Sequence, residues 1–536
     1  MMPAKAYVIT YDIGTTGNKT CLFEISDNIR LIESSMVEYK LTILENGGVE
    51  QNPEEWWQGL INTTRDVLNK SRITADNIKG ISFCSQMQGL VLVDEKADAI
   101  RPAMSYMDQR ASEEKADSVG HGIQIQGINL RKLFKSLYIT GAVAASVKDP
   151  LWKYKWVQKN EPEIFAKTHK WLDVKEYLIA RSTDRFIMTE DSAFATFLYD
   201  SRKGKKCWSP SLCRTYGVDI THMPEVIRST DLVGTLSASA AGELGLSVDC
   251  QVFGGGGDAS LIGVGSGSVS KGDTHIYSGT SGWVSTVVDK RVIDINHMIA
   301  SVTGAVEGHF NYFGELETSG KCLEWVKNHL ALDAINIYMN KQKVTDGPEA
   351  VSQSLYDHMC ESIKDSPAGS GGVLFTPWLH GNRCPFEDSN ARGMFFNISL
   401  DTGKRKLIRA VLEGIAYHTR WMLEASEKKN PVSDAVRFVG GGALSSLTCQ
   451  IMADITGHQI ETVEAPQNVG SFGAAVCCGI GLGNIKDFDS VKNFIPVKAV
   501  YTPDAETRAV HDRNFLVFKR LYKNNKKNFK ILNQIQ

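Results

Sequence analysis

At 536 residues the chain exceeds what one hydrophobic core usually supports, so two domains are the first expectation. A composition of 42% hydrophobic and 22% charged residues, with a net charge of -2, describes a globular protein with no basic field for nucleic acid or anionic membrane to read. Eleven cysteines without a C-x-x-C pair argue against zinc or disulfide frameworks. With no signal-peptide core at Met1–Lys5 and no apolar run near the roughly 20 residues that span a bilayer, a soluble cytoplasmic protein with small-molecule partners is expected.

Ala6 to Tyr11 and Thr20 to Ile25 read as two strands of a hairpin, with Asp12-Ile13-Gly14-Thr15-Thr16-Gly17-Asn18-Lys19 as its turn. Such a turn can offer amides, hydroxyls and an ammonium to phosphate oxygens, and Asp12 can hold hydrated Mg²⁺; it can equally be an ordinary turn. Asn52-Pro53-Glu54-Glu55 starts a helix, with Trp56, Leu60, Ile61, Val67 and Leu68 on its apolar face. Gly80 to Phe83 is a buried-type strand that enters Ser85-Gln86-Met87-Gln88-Gly89 and leaves as Leu90 to Val93. The amides there suit the hydroxyls of a small polar ligand, or the turn itself. Asp108 and Arg110 either face a ligand or pair with each other. Helical patterns follow around Leu151 to Gln158 and Val174 to Arg181, and the Thr189 to Ala193 stretch reads as turns and caps.

Val252-Phe253 then leads into Gly254-Gly255-Gly256-Gly257-Asp258. Four residues without Cβ atoms allow very close approach of a bound group, and the carboxylate that follows is either a helix N-cap or a base beside a phosphate. Gly263 to Gly267 lacks the glycine spacing of a dinucleotide fingerprint, and Gly320-Lys321-Cys322 lacks that of a P-loop. Thr274 to Tyr277, Ser278-Gly279-Thr280-Ser281-Gly282 and Trp283 to Val288 repeat the strand, G-T-[ST]-G, strand plan of the first hairpin, which suggests two related halves. Glu315 to Trp325 reads as helical. His380 lies in a loop from Trp378 to Pro385, and Lys406 to Ala425 is a long amphipathic helix. Ala435 to Val439 is a strand entering Gly440-Gly441-Gly442-Ala443-Leu444-Ser445-Ser446, where a flat ring or phosphate can lie on bare backbone. Ser471 to Ala475 opens a small-residue helix expected to pack beneath that loop, and the Lys- and Asn-rich tail from Lys519 reads as a solvated terminal helix or a frayed end.

Taken in order, these motifs resemble the FGGY family of carbohydrate kinases, within the actin-like ATPase superfamily. The series is D-x-G-T-T at Asp12 to Thr16 with Lys19, Q-M-x-G at Gln86 to Gly89, D-x-R at Asp108 to Arg110 and G-G-G-D at Gly255 to Asp258. S-G-T-S at Ser278 to Ser281, Arg383 to Pro385, Arg392-Gly393 and G-G-G-A at Gly440 to Ala443 complete it. The resemblance implies an α/β chain of two ribonuclease-H-like domains around a central cleft: residues 1–267 for sugar and catalytic base, residues 268–536 for ATP. It implies Asp258 as general base, Asp12 for magnesium, and Gln86, Met87, Gln88, Asp108 and Arg110 with Asp258 for the sugar. ATP would be met by Gly14, Thr15, Thr16, Lys19, Gly279, Thr280, Ser319, Gly320, Gly441, Gly442, Ala443 and Ser445. The motifs are most similar to those of xylulokinase-like members, which points to a ketopentose such as xylulose. Gln88 stands where those usually carry histidine and Ala259 where many carry asparagine, so other ketoses, polyols and sugar acids stay open. So do a homodimer and a non-catalytic, nucleotide-dependent assembly or regulatory role.

Overall fold

The computed structural model describes residues 5–125, 127–294, 296–329 and 359–533. Its two large sheets are built to one plan. In the first the strand order is Leu232–Thr235, Gln251–Phe253, Ile78–Ser85, Ala6–Ile13, Gly17–Ile25 and Ile29–Glu38. Ala6–Ile13 lies antiparallel to Gly17–Ile25 and parallel to Ile78–Ser85, and Gln251–Phe253 adds a further parallel pairing. In the second sheet Thr274–Ser278 takes the central place, antiparallel to Gly282–Val288 and parallel to Ala435–Val439. Phe310–Leu316 continues the antiparallel side, and Gln459–Val463 and Val497–Tyr501 complete the other. Strand senses therefore match position by position, and the repeated hairpin motif marks the same place in each sheet. This is the ribonuclease-H-like arrangement in duplicate.

Central strands are buried almost throughout because both faces are covered, whereas Ile29–Glu38 at the sheet edge is mostly half-exposed. The helix Pro53–Ser71 starts where the sequence indicates: Asn52 accepts the Glu54 amide, proline follows, and Trp56, Trp57, Leu60, Ile61 and Val67 are buried against the first sheet. Lys404–Glu427 covers the second sheet. A further core belongs to both lobes and joins Val8, Phe23, Leu261, Val264, Phe472 and Ala475. At its centre the helix Asp258–Gly265 crosses the helix Val469–Gly481 at backbone contact. A Cβ on Gly265 would lie 1.8 Å from the Val469 carbonyl oxygen, and one on Gly473 would lie 2.2 Å from that of Leu261.

Several local expectations change. Asp12 and Lys19 are cross-strand partners in the ladder and not turn residues, so the first turn is only Gly14-Thr15-Thr16. Glu315 is in a strand, because Phe310–Leu316 pairs residue for residue with Gly282–Val288; the helix begins at Gly320. Residues Glu190–Ala195 form a short helix. The body of Val469–Gly481 packs on Asp258–Gly265 and the first sheet; only its approach, through Pro466, touches the glycine loop by accepting the Gly440 amide. In the tail the helical one of the two readings holds: Ala505–Asn533 is one helix, with Phe515, Phe518, Leu521 and Phe529 buried and most residues from Lys519 on exposed or half-exposed. Among the described residues no helix is long and apolar enough to cross a membrane, and no cluster of three metal-ligating side chains occurs.

Candidate active site

Parallel strands present their carboxyl ends at one sheet edge, where ligands of open α/β sheets bind. In the first lobe this edge gathers Asp12, Gln86 and Asp258. Asp12 and Gly256 both pair with Cys84, and Ile13 and Gly257 both pair with Ser85, so Ile78–Ser85 lies between the two carboxylate-bearing segments. The glycine run is thus partly a strand: Gly256 and Gly257 extend the sheet and Asp258 is the first helical residue. Gly255 needs its positive φ of 64° and its bare Cα, since a Cβ there would overlap the Phe83 carbonyl.

Asp258 is half-buried, and its Oδ1 accepts the Ala259 amide at 2.7 Å. Gly257 is the N-cap and Asp258 the first helical residue, so the N-cap role that the sequence left as an alternative to catalysis is not the one it takes. Burial pushes its carboxyl up to about 7; the Ala259 bond opposes this, and the negative charges of Asp12, Glu315 and Asp173 add to it. A carboxylate titrating near neutrality is suited to accept a proton from an alcohol. Asp12 is also raised by burial, against the opposing pull of Lys19 and of a hydrogen bond from the Cys84 thiol. Lys19 in turn donates to Asn468 Oδ1 at 3.0 Å, which links the first hairpin to the approach of the helix Val469–Gly481.

The Gln86–Gly89 turn follows the central strand. Gln86 Nε2 donates to Gln51 Oε1 at 2.9 Å, and Gln51 donates to the Thr15 carbonyl at 2.8 Å, so this turn and the phosphate-type hairpin share one hydrogen-bond chain. Gln86 Oε1 is buried with no hydrogen-bond partner among the described residues. Met87 packs on Gly257 so closely that a Cβ there would meet its sulfur at 2.1 Å. Gln88 is half-buried in a left-handed conformation, φ 64°. Thr16 is exposed and Gly14 half-buried, with the Tyr39 hydroxyl donating to the Gly14 carbonyl.

Asp108 and Arg110 are brought together, but into an internal ion network. Asp108 is fully buried and accepts the Val49 amide at 2.8 Å and Arg110 at 2.6 Å, while Arg110 also pairs with Glu50 at 2.7 Å and lies over Trp156. Their charged atoms are occupied within the protein, so this geometry favours wall-building over direct ligand contact.

In the second lobe Gly279, Thr280, Ser319, Gly320 and Gly442 form one cluster. Gly320 donates to the Gly279 carbonyl at 2.8 Å, the amide of Ser319 donates to the Thr280 carbonyl at 3.2 Å, and the Ser278 and Ser319 hydroxyls are 2.8 Å apart. A Cβ on Gly442 would lie 2.7 Å from the Ser278 hydroxyl, whereas one on Gly441 meets open space. Ser445 caps the helix Ser446–Thr456, and Ala443 is buried in the core. The two clusters face each other. Tyr277 lies within electrostatic reach of Asp12 and Asp258, which together with burial raise its phenol. Asn311 donates across to the Ala259 carbonyl at 3.2 Å.

Some contributors carry no sequence signal. Tyr106 accepts from the Thr15 hydroxyl at 3.3 Å and feels the charges of Asp258, Glu315 and Glu317. Asp191 accepts the Gly257 amide at 2.8 Å and so fixes the Gly256–Gly257 peptide, one link before Asp258. Its Thr-Glu-Asp-Ser context looks like any cap. Glu315 and Glu317 are paired with Arg383 at 2.8 and 2.7 Å, which anchors the Arg383 to Pro385 loop to the strand Phe310–Leu316 and the residue after it.

Two duplicated ribonuclease-H-like lobes facing each other across such a cleft define a member of the actin-like ATPase superfamily. Residues 7–265 match the N-terminal domain, and residues 275–482 the C-terminal domain, of the FGGY family of carbohydrate kinases. The chain belongs to that family, and it is an ATP-using carbohydrate kinase. It is 28% identical over 523 residues to a xylulose kinase of Bacillus subtilis, with 97% of both chains covered, and 27% identical over 500 residues to a gluconokinase of the same organism, with 93% and 92% covered. In fold it is similar to a ligand-bound xylulose kinase (TM-score 0.83, 22% identity, 98% and 100% covered) and a gluconate kinase (TM-score 0.82, 22% identity, 99% and 100% covered), both from Lactobacillus acidophilus.

Proposed function

We propose that the protein transfers the terminal phosphoryl group of ATP to a hydroxyl of a ketopentose such as xylulose, with Asp258 as the general base. The single observation that carries the base assignment is a half-buried carboxylate at the carboxyl edge of the sheet, titrating near 7. Similarity to xylulose kinases over 97% of the chain supports the sugar; the gluconokinase similarity keeps a sugar acid as the second reading.

In this reading Asp258 takes the proton of the acceptor hydroxyl as its oxygen approaches the phosphorus, and Gln86, Met87 and Gln88 line the sugar side. Asp108 and Arg110 hold the wall behind the sugar. Gly14, Thr15, Thr16 and Lys19 meet phosphate from one lobe, and Gly279 and Thr280 from the other. Ser319, Gly320, Gly441, Gly442, Ala443 and Ser445 bound the nucleotide. Asp12 fits magnesium: it is an oxygen donor in a cradle so close that a Cβ on Gly470 would lie 3.0 Å from its Oδ2, and this ion is commonly held by one or two carboxylates plus phosphate oxygens. Bound there, the metal would neutralise phosphate charge. The division at residues 267 and 268, a cytoplasmic site of action and a homodimer belong to the same proposal.

ADP release measured over ketoses, polyols and sugar acids, with wild type and Asp258→Asn side by side, tests it. Turnover is expected to be highest on xylulose and lowered about 10²–10⁴-fold in the variant; a clear preference for gluconate selects the second reading. The nucleotide wall has its own test. Gly441→Ala is expected to leave the thermal midpoint unchanged and raise KM for ATP several-fold. Gly442→Ala is expected to lower the midpoint, because its Cβ meets the Ser278 hydroxyl.

A further inference from the structure

We propose that Lys153 and Asp173 are positioning residues that clamp the Gln86–Gly89 turn in the conformation that faces the sugar; this rests on the reading of that turn as the sugar side of the site. Lys153 lies on the helix Pro150–Asn160 with no exposed surface, and its ammonium donates to the Gln88 carbonyl at 2.7 Å. Asp173 is a buried N-cap of the helix Val174–Thr183. Its Oδ1 accepts the Val174 amide at 2.8 Å and the Gly89 amide at 2.9 Å, and its Oδ2 accepts the Gln88 amide at 2.8 Å. Both peptide groups of Gln88 are therefore held by buried charged side chains from two different helices.

The turn needs holding. Gln88 has φ 64°, a region a residue with a Cβ enters only at a cost, and Gly89 admits no side chain because a Cβ would lie 2.7 Å from Asp173 Oδ1. The Lys153 ammonium makes a charge-assisted bond on one side; on the other, burial and the Glu176 charge raise the Asp173 carboxyl to about 7, so its two backbone bonds are charge-assisted as pH rises through that value. Burial lowers the Lys153 ammonium to about 8, and the neighbouring carboxylates of Asp108, Asp173 and Asp149 hold it up, so the cation persists at neutral pH. The direction of the Gln88 side chain follows from that fixed backbone. Met87, one residue earlier, rests against Gly257, the residue before Asp258. A slack turn would thus loosen the sugar side first and leave the nucleotide cluster of the other lobe intact.

Steady-state kinetics of Lys153→Met and Asp173→Asn in the full chain, with xylulose and gluconate as acceptors, test the clamp. KM for the accepted sugar is expected to rise at least tenfold while KM for ATP stays within twofold. A parallel rise in both, or no change in either, would overturn the positioning role. A rise for ATP alone would overturn the sugar-facing reading of the turn on which the proposal stands. If either variant fails to fold, Gln88→Gly against Gln88→Ala decides. Both lack the side-chain amide and differ in the cost of left-handed backbone, which a held turn does not pass on to the sugar, so equal KM values for sugar are expected and a clearly lower value in the glycine variant overturns the clamp.

Discussion

Replacing Asp258 with asparagine is expected to lower kcat by about 10²–10⁴-fold, the usual contribution of a positioned base, with KM for ATP nearly unchanged. Asparagine keeps the Oδ1 that accepts the Ala259 amide, so the start of the helix survives while the proton acceptor is lost. The wild-type rate should climb as pH rises through about 7 and level off above it, because only the ionised carboxylate can take the proton. Stability should move the other way. The folded-state value near 7 lies above the ordinary 3.8, so the folded protein binds the proton more tightly than the unfolded chain. Whatever stability the protonated group confers is fully present below pH 3.8, and it is lost as pH rises through 7. At about 1.4 kcal/mol per unit, the accumulated penalty above pH 7 reaches at most about 4 kcal/mol. Asp258→Asn is therefore expected to melt higher than wild type at pH 8, with the difference shrinking toward pH 4. An asparagine variant that is less stable than wild type at pH 8 while its kcat stays within tenfold would reduce Asp258 to a structural role at the helix start.

The two-lobed plan was legible because the sequence states its parts locally. The G-T-[ST]-G turn between β-type segments recurs in each half, and the sheets show that the copies occupy equivalent places. The Pro53 helix carries its cap, its proline and its apolar face in one window. The glycine stretches identify where backbone must come close, although they cannot say to what. The Gly254 to Gly257 run looks like a free turn, yet two of its residues join the sheet, because pairing to Cys84 and Ser85 is a long-range event. Glu315 lies in a strand for the same reason: that strand is specified by Trp283 across the ladder and not by its own helix-like neighbours. Long-range charge was likewise illegible. Nothing in Asp108-Gln109-Arg110 reveals Glu50 and Arg101 completing the network, and nothing near Thr189 reveals that Asp191 holds the Gly257 amide.

The joint between the lobes makes the second large prediction. The helix that begins with Asp258 and the helix Val469–Gly481 touch through backbone at Gly265 and Gly473, where an added methyl would sit 1.8 Å from the Val469 carbonyl oxygen and 2.2 Å from that of Leu261. No flexible side chain can yield there, so even alanine must part the helices and open the shared core of Val8, Phe23, Phe472 and Ala475. Overpacking typically costs about 1–3 kcal/mol, and contacts against rigid backbone belong at or above the upper end. Gly265→Ala and Gly473→Ala are therefore each expected to destabilise by about 3 kcal/mol or more. They should also lower kcat at temperatures where the protein is still folded, since the displaced helix carries Asp258. Gly242→Ala is the control. That glycine lies inside the helix Ala238–Leu244, is exposed and has open space where a Cβ would go, so alanine there should stabilise by up to about 1 kcal/mol through helix propensity. Thermal melts of the three variants read the contrast directly. The same chemical change should act with opposite sign at the two kinds of site, because the balance turns on contact with rigid backbone and not on the loss of glycine's freedom.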